Sequence, residues 1–257
     1  MRFLVVFCLF FSPVSYSQTW QLVTEPFPPF LIDNVEQPGW LTEIVVAALA
    51  TQNIQTELEY TSWVRAVKLA QKNKRTAVLG AYHTKQRANE FYYSRPLATT
   101  YTGLFKRQRD SIMFDGSMRS LQPYSISKGE GYAVSEEFEN TPDLAVTTTK
   151  DLITSLRLLQ NGRVDLVAGT KEVAKYWLQH SSELNAVAVV YLKPDLAFQH
   201  MHLIFHRSNA QAKANLVLFE QGLEQVLNNG KIEKILTNYH FSEQFIQQYT
   251  LFLSQQP

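Results

Sequence analysis

Apolar runs that fit strands alternate with stretches of helical periodicity in the first third of the chain. Residues 20–24 alternate as a strand, apolar side chains recur at helical spacing over about residues 40–52, and residues 54–60 alternate again. A helix over residues 63–72 and a strand over residues 77–82 follow. Because right-handed crossovers turn a β-α-β-α-β order into a parallel sheet, this segment predicts the α/β half-domain that builds nucleotide-binding and solute-binding folds.

The same alternation partly returns downstream. The predicted strands there cover residues 124–128, 144–147 and 164–168, and the predicted helices cover residues 135–138 and 150–161. Two such units in a mature chain of about 240 residues fit one two-lobed protein better than two independent domains.

Two extended segments rich in β-forming residues, 99–105 and 196–205, connect the units and predict a pair of hinge strands. Helices over residues 210–227 and 231–239 then return the chain to the first unit. The predicted division is a first lobe of residues 18–99 and 200–257 and a second lobe of residues 100–199.

The first 17 residues have the pattern of a secretory signal peptide. Arg2 precedes an apolar run over residues 3–11, and Ser15 and Ser17 supply small side chains at the −3 and −1 positions, so we expect cleavage after Ser17 and a periplasmic mature protein. An uncleaved membrane anchor is the alternative, but the run is shorter than the ~20 residues of a spanning helix. The single cysteine, Cys8, falls in this segment, so the mature protein has no thiol.

The charge balance argues against polyanionic partners. The chain has 24 Lys and Arg against 23 Asp and Glu, and removing residues 1–17 takes away Arg2 and no acid, which leaves 23 against 23. A mature chain without net charge has no electrostatic footprint for nucleic acid or an anionic membrane. We therefore expect a small molecule or a protein as the partner, and we expect the chain to be monomeric.

A cation stands just past the third predicted strand. Residues 77–82 are followed by Thr84-Lys85-Gln86-Arg87 and then by Tyr93-Ser94-Arg95-Pro96. Ligands of open α/β sheets bind outside the carboxyl ends of the strands, so Arg87 is expected to face a binding site. The alternative is a solvated residue in the first turn of a helix, paired with Glu90.

Aromatic side chains gather at the same predicted sheet edge. Phe27 follows the first strand, Trp63 follows the second, and Tyr82 ends the third. These rings would surround Arg87 as apolar walls around one fixed charge, which is the usual composition of a small-molecule pocket. The alternative for Trp63 is a place in the core, because large aromatic residues are mostly buried.

The second unit offers a glycine turn. Gly129, Gly131 and Tyr132 lie between a predicted strand and a predicted helix. Glycines let the backbone approach a ligand and present N–H groups to an anion, so these three residues are candidate ligand contacts. An ordinary turn is the alternative.

Three histidines, His200, His202 and His206, share one face of the second hinge strand. A half-exposed strand produces the same spacing, and neither a thiol nor a carboxylate cluster accompanies the histidines. We therefore expect no metal site and no other cofactor.

Several motifs together resemble the extracellular solute-binding proteins of family 3, the polar-amino-acid branch of the periplasmic binding proteins. They are Phe27-Pro28-Pro29-Phe30, Ser62-Trp63 with Arg65-Ala66, the segment from Thr84 to Pro96, Gly162-Arg163-Val164-Asp165, and Gly230-Lys231-Ile232. The resemblance covers essentially the whole mature chain. It implies a two-lobed type II (Venus-flytrap) binding fold with two hinge strands, and a part in amino acid transport by an ABC transporter.

The resemblance also implies residue roles. Phe27 and Trp63 would enclose the ligand side chain, Arg87 would bind its carboxylate, and Gly131 would close on that carboxylate from the other lobe. In the amino-acid binders an acid past the Gly-Arg-x-Asp motif pairs with the ligand ammonium, whereas here Thr170 stands at the matching position. A hydroxyl cannot neutralise a buried ammonium, so we expect a carboxylate-bearing solute and leave its amino group open.

The predicted function is capture of this solute between the lobes for delivery to a membrane permease. A ligand-sensing subunit of a membrane receptor would have the same fold and pocket. Some relatives are instead dehydratases of cyclic carboxylates or modules of cell-wall lyases, and an enzyme would need a positioned acid or base, for which Glu130 and Glu172 are the candidates. No carboxylate pair or Ser/His set stands out, so we prefer a binding protein to an enzyme.

Overall fold

The computed structural model describes residues 18–256, and the predicted signal peptide lies outside the described residues. The strands of the described part are β1 (Gln18–Thr24), β2 (Ile54–Tyr60), β3 (Ala77–Tyr82), β4 (Phe91–Tyr93), β5 (Ala98–Arg107), β6 (Ser125–Gly129), β7 (Ala145–Thr149), β8 (Leu166–Thr170) and β9 (Val189–His206). They form one mixed sheet in the order β2-β1-β3-β9-β5-β8-β6-β7, and β4 pairs with β9.

The helices pack against this sheet in both lobes. They are α1 (Trp40–Thr51), α2 (Trp63–Gln71), α3 (Lys85–Glu90), α4 (Glu136–Asn140), α5 (Leu152–Gln160), α6 (Lys171–His180), α7 (Ala212–Asn228), α8 (Lys231–Asn238) and α9 (Glu243–Ser254). Within residues 18–256, every helix falls short of the length and apolar content that crossing a bilayer requires.

The first lobe confirms the predicted parallel half-domain. β1 pairs in parallel with β2 on one side and β3 on the other, and Thr24 and Tyr60 end their strands side by side. The apolar face of α1 is buried against the sheet and against α7, which places the C-terminal helices on the first lobe, as predicted. This packing fixes the strand ends at which the site forms.

The two hinge strands, β5 and β9, are longer than predicted. They pair antiparallel over two stretches, residues 98–102 with 197–201 and residues 104–107 with 189–192. Pro194 lies between these stretches. Since β9 is not paired with β5 at this position, the missing N–H of the proline breaks no hydrogen bond between them. The exact lobe boundaries stay a prediction.

Four elements, β4, α3, α6 and α9, have no counterpart among the predicted strands and helices, and the second-lobe strands begin one or two residues later than predicted. The shift matters at β8, which ends at Thr170, so this residue closes the strand that pairs with β5. The short helix α3 has no buried residue and therefore lacks an apolar stripe by which it could be predicted.

Candidate functional site

The candidate site is the cleft between the lobes. The carboxyl ends of β1, β2 and β3 open at one edge of the sheet, as the parallel register requires. The residues that follow these strands face the turn after β6 of the second lobe, and both sets line the same small cavity.

Arg87 reaches across this cleft. The Thr84 hydroxyl accepts a hydrogen bond from the Arg87 backbone N–H at 3.1 Å, which caps α3. The guanidinium donates to the carbonyl of Tyr82 at 3.1 Å and to the carbonyl of Gly131 at 2.8 Å. It also lies 5.0 Å from the centroid of the Trp63 ring. Arg87 therefore contacts both lobes.

The structure does not show the alternative pairing of Arg87 with Glu90. Glu90 instead accepts a hydrogen bond from Gln71 at 2.7 Å. Burial lowers the pKa of Arg87. A guanidinium stays protonated in proteins, so Arg87 brings a positive charge into the cleft.

Phe27 and Trp63 form apolar walls of the cleft. They are 5% and 6% exposed. The Phe27 ring lies edge-on to Tyr82, with centroids 6.1 Å apart, and to Tyr132, at 6.4 Å. Trp63 packs into a core cluster with Val23 and also lines the cavity beside Arg87, and its contact with a ligand stays a prediction.

Tyr82 joins the two lobes through hydroxyl groups. Its hydroxyl lies 2.9 Å from the Thr170 hydroxyl and accepts a hydrogen bond from Thr100 at 2.8 Å. All three side chains are buried, and burial raises the pKa of Tyr82, so its hydroxyl stays protonated. Thr170 is thus satisfied by Tyr82 and lies outside the lining of the three cleft cavities described below.

The turn after β6 presents a backbone carbonyl to Arg87. Gly131 has a φ of +74°, and its carbonyl oxygen faces Arg87. The neighbouring N–H groups of Glu130 and Tyr132 donate to carbonyls of the second lobe, at 2.7 and 3.1 Å. Since α4 begins only at residue 136, no helix starts directly behind this turn. In this structure the turn therefore offers the cleft the Gly131 carbonyl as an acceptor, and anion binding by its N–H groups stays a prediction.

The Tyr132 ring fills the middle of the cleft. It packs against the apolar clusters that contain Phe27 and Trp63, and its hydroxyl donates to Glu25 Oε2 at 2.9 Å. A Cβ on Gly129 would stand only 2.7 Å from the ring, so the absence of a side chain at Gly129 makes room for the phenol. Burial raises the pKa of Tyr132, which keeps the hydroxyl a donor.

Glu25 is a residue of the candidate site that the sequence analysis missed. It follows β1 directly and is 6% exposed. Burial raises its pKa from 4.5 to about 8; Asp151 adds to the increase, and the Tyr132 hydrogen bond and the Arg87 charge oppose it. The carboxyl is therefore mainly protonated at pH 7. An acid directly after a predicted strand, at the same sheet edge as Arg87, was the available signal.

Three cavities meet at these side chains. The central one, lined by both Glu25 and Arg87, measures about 20 Å³, and a single water needs about 10–15 Å³ on this scale. A cavity of about 1010 Å³ adjoins it on the side of α2, α3 and α4, and one of about 470 Å³ adjoins it on the side of α5 and α6. Tyr132 lines all three cavities, so its side chain lies where they meet.

The histidines of β9 have separate partners. His200 Nδ1 lies 3.0 Å from a threonine hydroxyl, His202 Nδ1 lies 2.7 Å from the Ser94 carbonyl, and His206 Nδ1 lies 2.7 Å from a serine hydroxyl. His202 is buried, contrary to the half-exposed face expected, and burial lowers its pKa to about 4. Among residues 18–256, no group of three or more His, Cys, Asp or Glu side chains is placed to hold a metal ion.

The two candidate acid–base residues lie apart from Arg87. Glu172 accepts a hydrogen bond from the Tyr101 N–H at 3.2 Å, and burial raises its pKa. Glu130 is exposed. Neither residue lines any of the three cleft cavities, so the described part of the chain does not assemble them into one site.

Solved structures share this fold. A histidine kinase sensor domain with similarity to periplasmic binding proteins has a TM-score of 0.75 at 16% identity, over 86% of this chain and 95% of that one. The arginine-, lysine-, histidine-binding protein ArtJ from Geobacillus stearothermophilus has a TM-score of 0.72 at 16% identity, over 86% and 94%. The GluR0 ligand-binding core from Nostoc punctiforme, in complex with L-glutamate, has a TM-score of 0.69 at 16% identity, over 84% and 96%.

Sequence comparison gives the family. No curated protein matches this sequence. The sequence profile of the bacterial extracellular solute-binding proteins, family 3, matches residues 21–243, a span that includes both hinge strands. The chain therefore belongs to the bacterial extracellular solute-binding proteins of family 3.

Proposed function

We propose that this protein captures a small carboxylate-bearing solute between its two lobes by hinge closure, for delivery to a membrane transporter. Arg87 carries the proposal. Its guanidinium contacts Tyr82 of the first lobe and Gly131 of the second, and both partners are neutral carbonyl oxygens. A solute carboxylate would supply two acceptor oxygens and a full negative charge, which makes shorter and stronger hydrogen bonds than a carbonyl does.

Glu25 would bind the end of the solute that lies away from its carboxylate. Its mainly protonated carboxyl lines the same cavity as Arg87 and accepts a hydrogen bond from a hydroxyl. A solute with a neutral donor would replace that hydrogen bond and leave the carboxyl protonated. A solute with an ammonium group would favour the ionised carboxylate and lower the pKa of Glu25. The protonation state of Glu25 in the complex would therefore decide whether the solute carries a cationic amino group.

Closure is supported by the hinge and by the contacts that cross the cleft. β5 and β9 pass between the lobes. The contacts that cross the cleft include Arg87 with Gly131, Tyr132 with Glu25, Tyr82 with Thr170, and the exposed ion pair of Lys85 with Glu136. A solute that touches both lobes stabilises the closed arrangement because it gains contacts from each. Glu130 and Glu172, the two acids considered for catalysis, lie outside the cavities.

A sensor subunit for a membrane receptor is the second candidate. The likeness to a histidine kinase sensor domain, with a TM-score of 0.75, favours this candidate. The pocket and the closure would be the same, and only the partner would differ. Copurification with a permease would support transport, whereas copurification with a receptor kinase would support sensing.

The test is a thermal-shift panel of amino acids, organic acids and short peptides against the wild type and Arg87→Ala. A solute at 100 times its Kd adds about 2.7 kcal/mol to the free energy of unfolding, so a bound carboxylate should raise the melting temperature of the wild type and not of the variant. The matched control is Arg207→Ala, which removes another first-lobe arginine that lies over an aromatic ring and donates to a carbonyl.

A response that survives in Arg87→Ala would contradict the role of Arg87. A stabilising compound that is consumed during the assay would favour an enzyme.

A further inference from the structure

The chain places two of its own groups where the proposed solute would bind. The Gly131 carbonyl oxygen accepts from Arg87 at 2.8 Å, and the Tyr132 hydroxyl donates to Glu25 at 2.9 Å. These are the acceptor and the donor that the proposed function requires at the two ends of a solute. Between them lies an aromatic ring against Phe27.

We infer that the Tyr132 phenol is an internal occupant of the interlobe pocket, and that the solute replaces it and resembles it: a planar aromatic carboxylate with a hydrogen-bond donor on its ring. The inference rests on the proposed function, because Arg87 must take the carboxylate. The rest of its support comes from the shape of the space that the phenol fills and from the room for the phenol to leave.

The space suits a flat ring. Phe27 lies edge-on to the phenol, and Gly129 lies so close that a Cβ there would be 2.7 Å from the ring. On the other side of the turn, a Cβ on Gly131 would stand 3.1 Å from the Trp63 ring. The two glycines thus let the turn and the phenol pack tightly between the lobes, and the volume that remains is about 20 Å³. A branched aliphatic group would be thicker than the ring that this space holds.

The phenol can leave without a change in the backbone around it. Lys128 Nζ donates to the Tyr132 carbonyl at 3.0 Å, and Gln199 Nε2 donates to the Ala133 carbonyl at 2.9 Å, so the main chain of the turn is held by the protein. Tyr132 is half-buried and lines the cavities of about 1010 and 470 Å³ on either side. Rotation of its side chain into either cavity would join the three spaces into one pocket.

The direct test uses 4-methylphenol, which has the ring and the donor but no carboxylate. Tyr132→Ala should bind it at least tenfold more tightly than the wild type does, by isothermal titration calorimetry. Toluene, which lacks the hydroxyl, should bind the variant at least tenfold more weakly than 4-methylphenol, because Glu25 would lose its hydrogen-bond partner. The matched control is Tyr176→Ala, which removes a tyrosine that stacks on His180 in the same lobe.

A second variant keeps the test decisive if Tyr132→Ala does not fold. Gly129→Ala keeps Tyr132 but displaces its ring from the pocket, because the added Cβ would lie 2.7 Å from the ring. 4-Hydroxyphenylacetate should therefore bind this variant at least fivefold more tightly than the wild type. Phenylacetate should bind both more weakly than 4-hydroxyphenylacetate.

The outcomes separate the two proposals. The inference that Tyr132 is an internal occupant would be overturned by either of two results. One is that 4-methylphenol does not bind a folded Tyr132→Ala variant; the other is that 4-hydroxyphenylacetate does not bind Gly129→Ala more tightly than it binds the wild type. Arg87-dependent binding of other carboxylates would still support the proposed function in that case. If 4-methylphenol binds the variant but no carboxylate depends on Arg87, the proposed function and the solute class both fail, and Tyr132 remains only a filling side chain.

Discussion

Replacing Glu25 by glutamine isolates the free energy tied to one buried carboxyl. Glutamine keeps the shape of the side chain and can accept the hydrogen bond of Tyr132, but it cannot ionise. In the folded protein Glu25 holds its proton up to a pH of about 8, because burial raises its pKa from 4.5. Between these values the folded state binds more protons than the unfolded state, so the free energy of unfolding decreases as pH rises.

The size of the effect follows from the two pKa values. Each pH unit inside the window costs about 1.4 kcal/mol, so the change of pKa from 4.5 to about 8 corresponds to on the order of 5 kcal/mol. His202 acts in the opposite direction: its pKa is lowered from 6.5 to about 4, so its contribution is complete above pH 6.5 and is lost as pH falls towards 4. The wild type should therefore change little between about pH 4.5 and 6.5 and lose stability between 6.5 and 8.

The assay is urea denaturation of the wild type and Glu25→Gln from pH 5 to 8.5. The measured quantity is the wild-type free energy of unfolding minus that of the variant, which removes the contributions of His202 and His200. This difference should fall steadily as pH rises and level off above about 8. Arg87 favours the ionised form and Asp151 disfavours it, and both remain in the variant. A difference that does not change with pH would mean that Glu25 is ionised in the folded protein, and the reasoning would be wrong. The exposed Glu130→Gln is the control.

Two further substitutions test the framework around the site. Gly131→Ala should lower the free energy of unfolding by about 1–3 kcal/mol, because the φ of +74° at Gly131 disfavours a side chain and a Cβ there would lie 3.1 Å from Trp63. Gly162 is the control: its φ is +69°, but a Cβ there would have nothing within 4 Å, so Gly162→Ala tests backbone strain alone. If urea denaturation gives equal losses for the two variants, the close contact with Trp63 contributes nothing. Glu220→Gln should lower the free energy of unfolding by about 1–3 kcal/mol in the same assay, because Glu220 accepts hydrogen bonds from the Arg95 backbone at 2.7 Å and from its side chain at 2.5 Å. A loss below about 0.5 kcal/mol would mean that these hydrogen bonds do not stabilise the fold.

Much of the fold could be predicted because its signals are local. The strands and helices from β1 to β3 follow from alternation and helical spacing, and their predicted bounds agree with the structure within a residue or two. The signal of α9 was also present, since Ile246, Tyr249 and Leu253 are its buried residues and Ser242 caps it, accepting from the Phe245 N–H at 3.3 Å. By contrast, α3 has no buried residue, so its only local signal is the cap.

Candidate residues could be named in both lobes, but only the contacts that one sheet edge fixes could be predicted. Phe27, Trp63 and Arg87 follow parallel strands, and the strand ends bring them together. The contact between Glu25 and Tyr132 joins residues 107 positions apart in different lobes. Its formation depends on how the hinge sets the lobes, which no local pattern of residues encodes.

The crossing contacts determine how strongly a solute can bind. A solute that enters the proposed site must break the hydrogen bonds of Tyr132 with Glu25 and of Arg87 with Gly131. A neutral hydrogen bond contributes about 0.5–1.5 kcal/mol net and one to a charged group about 1.5–3 kcal/mol, so restoring both with similar partners leaves little net gain. A carboxylate on Arg87 differs from the carbonyl that it replaces by a full charge, whereas a neutral amide does not. Arg87 therefore selects solutes that carry a carboxylate. A solute without one would only replace the Gly131 carbonyl by an equivalent neutral acceptor.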